Sequence, residues 1–282
     1  MRIYIASDLH LGTDPRGDRS AANLAAHLTR VSNPEDVLML LGDYAQDDQG
    51  VERCLNMFNG FRGTKMAVLG NHDLWVKRDG RRTSLERREQ LHDMFSRNDF
   101  HPLEREAVVI GDIGFVGITG WYDYSFGDAP GIPFEAYQTK TYPKDGSVRW
   151  GDARFIRWDH TDEEVTQQQA NLLDDQIKRL TAHGARKVIV GMHHVPSKAL
   201  LPQPRWLVPH NWRFLNAFLG SDRFERVVTK HAGIVSNVVC GHIHRTAQAN
   251  IQGTTYTAVG GDYTWKQLVA IDGGGQVLIK NF

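Results

Sequence analysis

Asp8 and His10 are two residues apart at the close of an apolar run, and His242 and His244 repeat that spacing at the close of another. On an extended backbone alternate residues point the same way, so each pair can turn its side chains toward one ion. Three further apolar runs end in similar chemistry: Gly42-Asp43 after Val37 to Leu41, Gly70-Asn71-His72-Asp73 after Lys65 to Leu69, and His193-His194 after Val188 to Met192. Asp43 suits a bridging carboxylate, Asn71 offers a neutral amide oxygen, and His72 can approach the same place without being coordinated. Taken singly, an Asp-x-His is more often a polar strand terminus, and an Asp after a strand more often a helix cap. The combined set is rich in imidazole and oxygen and has no thiolate, which suits manganese, iron(II), cobalt, nickel or zinc better than calcium.

Such residues meet only if their strands lie side by side. In an open α/β sheet the carboxyl ends of the strands share one edge, and five such ends can gather residues 8 to 244 into one cluster. The intervening sequence supplies helices from about Ser20 to Val31, Val51 to Phe61, up to Phe95, Asp162 to His183, Asn211 to Leu219 and Asp222 to His231. Gly12, Pro15 and Gly17 predict a loop before the first of these. Strands are expected at Ala107 to Ile110 and Ile113 to Thr119, and in the tail at Thr254 to Val259, Gln267 to Ile271 and Gln276 to Ile279.

Composition narrows the class. The 282 residues are 41% hydrophobic, enough to bury one large core, and predict a single domain over 1–282. Lys plus Arg and Asp plus Glu are 33 each, which argues against a broad nucleic-acid surface. Cys54 and Cys240 are far apart and form no Cys-x-x-Cys pattern, and no apolar run reaches the length of a membrane span. These features predict a soluble, cytoplasmic protein with no membrane partner.

The ordered set Asp-x-His, Gly-Asp, Gly-Asn-His-Asp, a later strand-end His and Gly-His-x-His resembles the calcineurin-like metallophosphoesterases, over Asp8 to His244. The resemblance implies an α/β fold, a four-layer α/β/β/α sandwich of two mixed sheets. It also implies a centre of two divalent ions, one on Asp8, His10, Asp43 and His244 and the other on Asp43, Asn71, His193 and His242, with manganese foremost. His193 is preferred to His194 because it follows the strand directly. His72 would face the substrate. Many relatives have a second Asp three residues after the bridging one to orient that histidine; this chain has Gln46 there, so Asp47, Asp73 or Gln46 is expected to serve. Purple acid phosphatases carry a metal-binding Tyr at that place, so an iron(III)–tyrosinate centre is not expected.

Two divalent ions outweigh the charges of Asp8 and Asp43, which leaves the centre electropositive, attractive to phosphate and able to lower the pKa of a bound water. The function expected is hydrolysis of a small phosphodiester or phosphomonoester, nucleotide-like, with a metal-bound hydroxide as nucleophile. A nuclease of the same superfamily is the alternative, favoured by the basic stretch Lys77, Arg78, Arg81, Arg82, Arg87 and Arg88 and opposed by the zero net charge. A metal-binding scaffold without turnover is a third reading, against which every ligand position counts. Residues 120–160, rich in aromatic rings, Gly and Pro, predict a cap whose rings either stack on the substrate or pin the loop to the body.

Overall fold

The computed structural model describes residues 1–77, 80–143, 148–203 and 205–282. Arg78 and Asp79 of the basic stretch lie outside the described residues, as do 144–147 of the aromatic segment and Pro204. The strands are β1 (Ile3–Ala6), β2 (Val37–Leu41), β3 (Thr64–Val68), β4 (His101–Pro102), β5 (Val108–Ile110), β6 (Ile113–Ile118), β7 (Lys187–Met192), β8 (Val235–Cys240), β9 (Ala247–Ile251), β10 (Thr254–Ala258), β11 (Gln267–Ile271) and β12 (Val277–Asn281). The α-helices are α1 (Pro15–Val31), α2 (Asp48–Asn56), α3 (Ser84–Arg97), α4 (Phe134–Gln138), α5 (Asp152–Phe155), α6 (Asp162–Ala182), α7 (His210–Leu215) and α8 (Asp222–Lys230).

Two mixed sheets result, one in the order β12-β11-β1-β2-β3-β4 and the other β5-β6-β7-β8-β10-β9. Side-chain alternation along the strands assigns their faces. Ile3 and Ile5 of β1, Val37, Met39 and Leu41 of β2, Phe115 of β6 and Ile189 of β7 form a buried core between the sheets. The other faces differ: Tyr4, Ala6, Leu38 and Leu40 pack with Leu24 and Leu28 of α1 and Leu55 of α2, while Val188, Val190 and Val238 pack with Leu173 and Ile177 of α6 and Phe224 of α8. Three apolar layers therefore separate four layers of secondary structure, the α/β/β/α sandwich. Phe115 is fully buried in the middle layer, where truncating such a ring costs roughly 3–5 kcal/mol.

Several local expectations change. α1 starts at Pro15 rather than near Ser20, because Asp14 accepts from the Arg16 amide as N-cap and proline's fixed φ suits the first helical turn. α2 starts at Asp48, capped by Asp47, rather than at Val51. β4 and β9 were not expected; β4 has only two residues, one of them Pro102, and β9 is a partly exposed edge beside β10. Residues 120–160 contain α4 and α5, so the segment is not wholly irregular. Its rings fill the body: Trp121, Tyr122 and Phe126 are fully buried, and Trp121 stacks on Tyr122 at 4.9 Å.

Candidate metal centre

β1, β2 and β3 are parallel neighbours in one sheet, and β7 and β8 are parallel neighbours in the other. Their carboxyl ends meet at one edge of the sandwich, and the turns that follow are held backbone to backbone. The Asp8 amide donates to the Gly42 carbonyl at 3.1 Å, His10 to that of Asp43 at 2.9 Å, and Gly241 to that of His193 at 3.0 Å. The turns bring the carboxylates so close to neighbouring backbone that two positions have no room for a side chain. A Cβ on Gly70 would lie 2.1 Å from Asp43 Oδ1, and one on Gly241 would lie 1.9 Å from Ser7 Oγ and 2.5 Å from Asp8 Oδ2.

The side chains then converge. Asp43 Oδ2 lies 3.6 Å from His10 Nε2 and 3.5 Å from His193 Nε2, between imidazoles from different sheets. On one side, His10 Nε2 is 3.2 Å from His244 Nε2, and His244 Nε2 is 3.3 Å from Asp8 Oδ1. On the other, His193 Nε2 is 3.2 Å from Asn71 Oδ1 and 3.1 Å from His242 Nδ1. Asp8, His10 and His244 make one group with metal-ligand spacing, Asp43, His193 and His242 another, and His10, Asp43 and His72 a third.

Neighbouring groups fix which atoms face inward. His193 Nδ1 is 2.8 Å from the Leu41 carbonyl, so Nε2 is left for the cluster. His242 Nε2 is 3.3 Å from the Phe218 carbonyl, so Nδ1 is left. Asn71 Nδ2 donates to Asp152 Oδ1 at 2.9 Å, which turns the amide oxygen inward. Such outer partners set tautomer and orientation at metal sites. The backbone is also bent to the purpose. Among the described residues, nine non-glycine positions have positive φ, and five of them are Asp8, His10, Asp43, His242 and His244. Strain of this kind persists only where surrounding structure enforces it, and it clusters at functional sites.

Electrostatics supply the test of whether this donor set fits metal ions. Burial, helped by the Asp73 and Asp8 charges, pushes the Asp43 carboxyl well above the usual carboxylate range. Burial likewise pushes the His10 and His242 imidazoles well below their usual value, and lowers His193. Burial would raise Asp8 too, but its hydrogen bond and charge interaction with His244 override that and hold it well below. His244 is raised by the same pairing, against the pull of burial. The cluster is thus a buried set of crowded carboxylates and imidazoles, His10, His193 and His242 held toward the neutral form, with ring nitrogens and the Asn71 oxygen little over 3 Å apart. Divalent cations relieve that arrangement, and neutral imidazole with ionised carboxylate is the state in which these groups bind metal.

The family of calcineurin-like phosphoesterases matches the chain over residues 1–246. The chain belongs to that family. Similar solved structures include the phosphopantetheinyl hydrolase of Mycobacterium tuberculosis, 19% identical with a TM-score of 0.66, covering 92% of this chain and 89% of that one. A dimetal phosphatase from Danio rerio is 12% identical with a TM-score of 0.54, covering 99% of this chain and 98% of that one. A putative 5'-nucleotidase from Staphylococcus aureus is 13% identical with a TM-score of 0.52, covering 99% of this chain and 52% of that one. No curated protein matches the chain. As a calcineurin-like phosphoesterase, the protein is a metal-dependent phosphoesterase.

In this phosphoesterase His194 packs its ring 4.5 Å from that of His242; its Nδ1 lies 3.2 Å from the Thr119 carbonyl, and its buried Nε2 has no hydrogen-bond partner among the described residues. His72 is at the rim, its side chain 23% exposed, with Nε2 3.9 Å from Asp43 Oδ2 and its ring stacked on Trp75 at 3.7 Å. Burial pushes its imidazole down to about 4 against the pull of Asp152 and Asp8.

The residues expected to orient His72 make other contacts. Asp47 Oδ1 accepts from the Gly50 amide at 2.7 Å as the cap of α2. Asp73 accepts from the amides of Asp43, Tyr44 and Gly70 at 2.7, 3.0 and 2.8 Å, lacing the turn after β2 to the turn after β3. Among the described residues, no hydrogen bond or ion pair joins either carboxylate to the His72 ring, nor Gln46 to it. Asp73 therefore supports the backbone of Asp43, and burial pushes its carboxyl up to about 6 despite those amides.

Sequence reasoning missed Asp152, Tyr263 and Lys266. Asp152 is buried and, besides Asn71, accepts from Trp75 Nε1 at 2.6 Å, Trp150 Nε1 at 2.7 Å and Tyr122 Oη at 2.9 Å. Tyr263 sets its ring 4.7 Å from that of His10 and 5.1 Å from that of His244. Lys266, fully buried, donates to the Asp8 carbonyl at 2.9 Å. Asp152 and its neighbours Trp150 and Gly151 form an acid among aromatics and glycine, the only trace of this role in the sequence.

Proposed function

We propose that the protein hydrolyses a small phosphodiester or phosphomonoester, nucleotide-like, with two divalent transition ions, manganese foremost. The observation that carries this reading is the place of Asp43 Oδ2, 3.6 Å from His10 Nε2 and 3.5 Å from His193 Nε2. One carboxylate oxygen between two sets of donors suits a bridge. Asp8, His10 and His244 would complete one coordination sphere, and Asn71, His193 and His242 the other. Bound there, the ions supply Lewis acidity, attract phosphate and lower the pKa of water toward neutrality.

The protein's own contribution is to preorganise these donors and to hold His72 beside them. Its ring is clamped by Trp75, and its amide donates to Asp43 Oδ1 at 3.0 Å. With its imidazole pushed down to about 4, the ring is neutral at pH 7, and it contributes an N–H to a phosphoryl oxygen rather than a full charge. Two buried, unpaired thiols fit a reducing, cytoplasmic setting. Among the described residues, no helix is long and apolar enough to cross a membrane.

The test is turnover of p-nitrophenyl phosphate and bis(p-nitrophenyl) phosphate before and after exhaustive chelation. Chelated protein should be inactive and manganese should restore it. Undiminished turnover by protein shown to be metal-free would overturn the reading.

A further inference from the structure

Beside the metal centre lies a cavity of about 660 Å³ that has His72 among its lining residues. Its walls join two distant parts of the chain: the Val76 amide donates to the Phe155 carbonyl, and Ser84 and Arg157 exchange hydrogen bonds, each at 2.9 Å. One side is apolar, made by Trp75, Val76 and Phe155. Trp75 is sandwiched between His72 at 3.7 Å and Phe155 at 4.7 Å, so neither of its faces is free to stack on a base.

The other side is cationic. Lys77, Arg81, Arg82 and Arg87 line it against only Asp47 and Asp48, in a chain whose overall charge is zero. Asp48 is shared by two guanidinium groups, Arg82 at 2.5 Å and Arg87 at 3.3 Å, so a single carboxylate answers two cations. Arg87 is 4% exposed, and its Nη2 has no hydrogen-bond partner among the described residues. Lys77 and Arg81 have no ion-pair partner among them either. A buried guanidinium with an unsatisfied donor is costly unless something else completes it.

We infer that this cavity receives a second phosphate of the substrate, so that the scissile ester belongs to a molecule phosphorylated at two places. The inference rests on the phosphoesterase reading and deepens it. The reacting phosphate sits at the metal centre, His72 marks the passage, and the far phosphate meets the arginines, which suit phosphate oxygens in a bidentate fork. The apolar wall accommodates the body that joins them.

The probes are adenosine 3',5'-bisphosphate and AMP, titrated calorimetrically into manganese-loaded protein, with bis(p-nitrophenyl) phosphate turnover followed in parallel. The bisphosphate should bind at least about tenfold more tightly than AMP, the gain expected from one added charge-assisted contact. That preference should fall as salt rises. In the doubly substituted Lys77→Gln, Arg81→Gln protein, whose rim positions are exposed, it should shrink toward unity while the melting temperature holds. Equal affinities in the unsubstituted protein, or a preference that survives both high salt and the double substitution, would overturn the inference. A preference without any turnover of the diester would leave the pocket standing and count against the hydrolase reading instead.

Discussion

Asn71 Nδ2 donates to Asp152 Oδ1 at 2.9 Å, joining the turn after β3 to a helix that begins 81 residues later, within the aromatic segment. The bond decides which atom Asn71 shows to the cluster, because an amide that donates outward must present its oxygen inward. It also ties the 120–160 segment to the cluster. Its rings gather around the same carboxylate, through Trp150 Nε1 and Tyr122 Oη.

Asp152→Ala should therefore weaken metal binding although Asp152 is no proposed ligand. A loss of about 10- to 100-fold in manganese affinity is expected, the usual effect of removing an outer partner, with turnover falling alongside. Phe134→Ala, at a ring 56% exposed in the same segment, should change neither. Calorimetric metal titration distinguishes them, and unaltered affinity in Asp152→Ala would show that Asn71 needs no such anchor.

Gly70→Ala probes the close approach at the bridge. The backbone of Gly70 is not in the left-handed region, so the added methyl is opposed by space alone: its Cβ would lie 2.1 Å from Asp43 Oδ1. Overpacking of this kind costs roughly 1–3 kcal/mol, but the displaced atom belongs to the carboxylate proposed as the bridge between the two donor sets. Metal content should fall more steeply than the melting temperature of the metal-free protein. A protein that unfolds more easily yet binds metal normally would place the strain elsewhere.

What could be read from the sequence followed from how local each signal is. β1, β2, β3, β7 and β8 announce themselves as apolar runs ended by Gly, Asp or His; sheet geometry aligns the ends of β1–β3 and of β7–β8 separately, and the packing of the two sheets brings the two sets together. Asp152 gives no such signal, since three of its four partners are 30, 77 and 81 residues away and its own segment has no period. Asp47 was legible, and its contact in the structure is a local one. A carboxylate just ahead of the apolar face of Val51, Cys54 and Leu55 is in the position of a helix cap, and capping is what it does. The rings of 120–160 were visible as a cluster, whereas their burial depends on Phe214 and Phe218, supplied from far along the chain.

Away from the centre, Glu104 predicts an acid limb of stability. It is buried and accepts from His92 Nε2 at 2.9 Å and from the amide and hydroxyl of Thr119 at 2.9 and 2.8 Å. Burial would raise its carboxyl, but these hydrogen bonds win and hold it below its ordinary value. Because the folded value is the lower one, the contribution is complete above the ordinary glutamate range and is lost as pH falls through the folded value. Glu104→Gln should cost about 1–3 kcal/mol near neutrality, and the gap should narrow in acid. Urea melts at pH 7 and pH 4 would show it, and a gap that widened in acid would reverse the assignment.

The last prediction separates Asp43 from His72. Asp43→Asn removes the charge proposed to let two cations lie side by side, so metal occupancy and turnover should fall together. His72→Ala should leave both metals bound, because the ring sits at the rim with its Nε2 3.9 Å from Asp43 Oδ2, and should slow turnover by about 10²–10³-fold, the usual cost of one preorganised donor. A protonated acid at this place would spare substrates with good leaving groups. Burial that pushes the imidazole down to about 4 argues for a neutral N–H donor, and cations nearby would hold it lower still. The loss should then be similar for p-nitrophenyl and alkyl esters. A loss that grows with leaving-group pKa would restore the acid, and a His72→Ala protein that loses a metal would make His72 a ligand, in keeping with its spacing to His10 and Asp43.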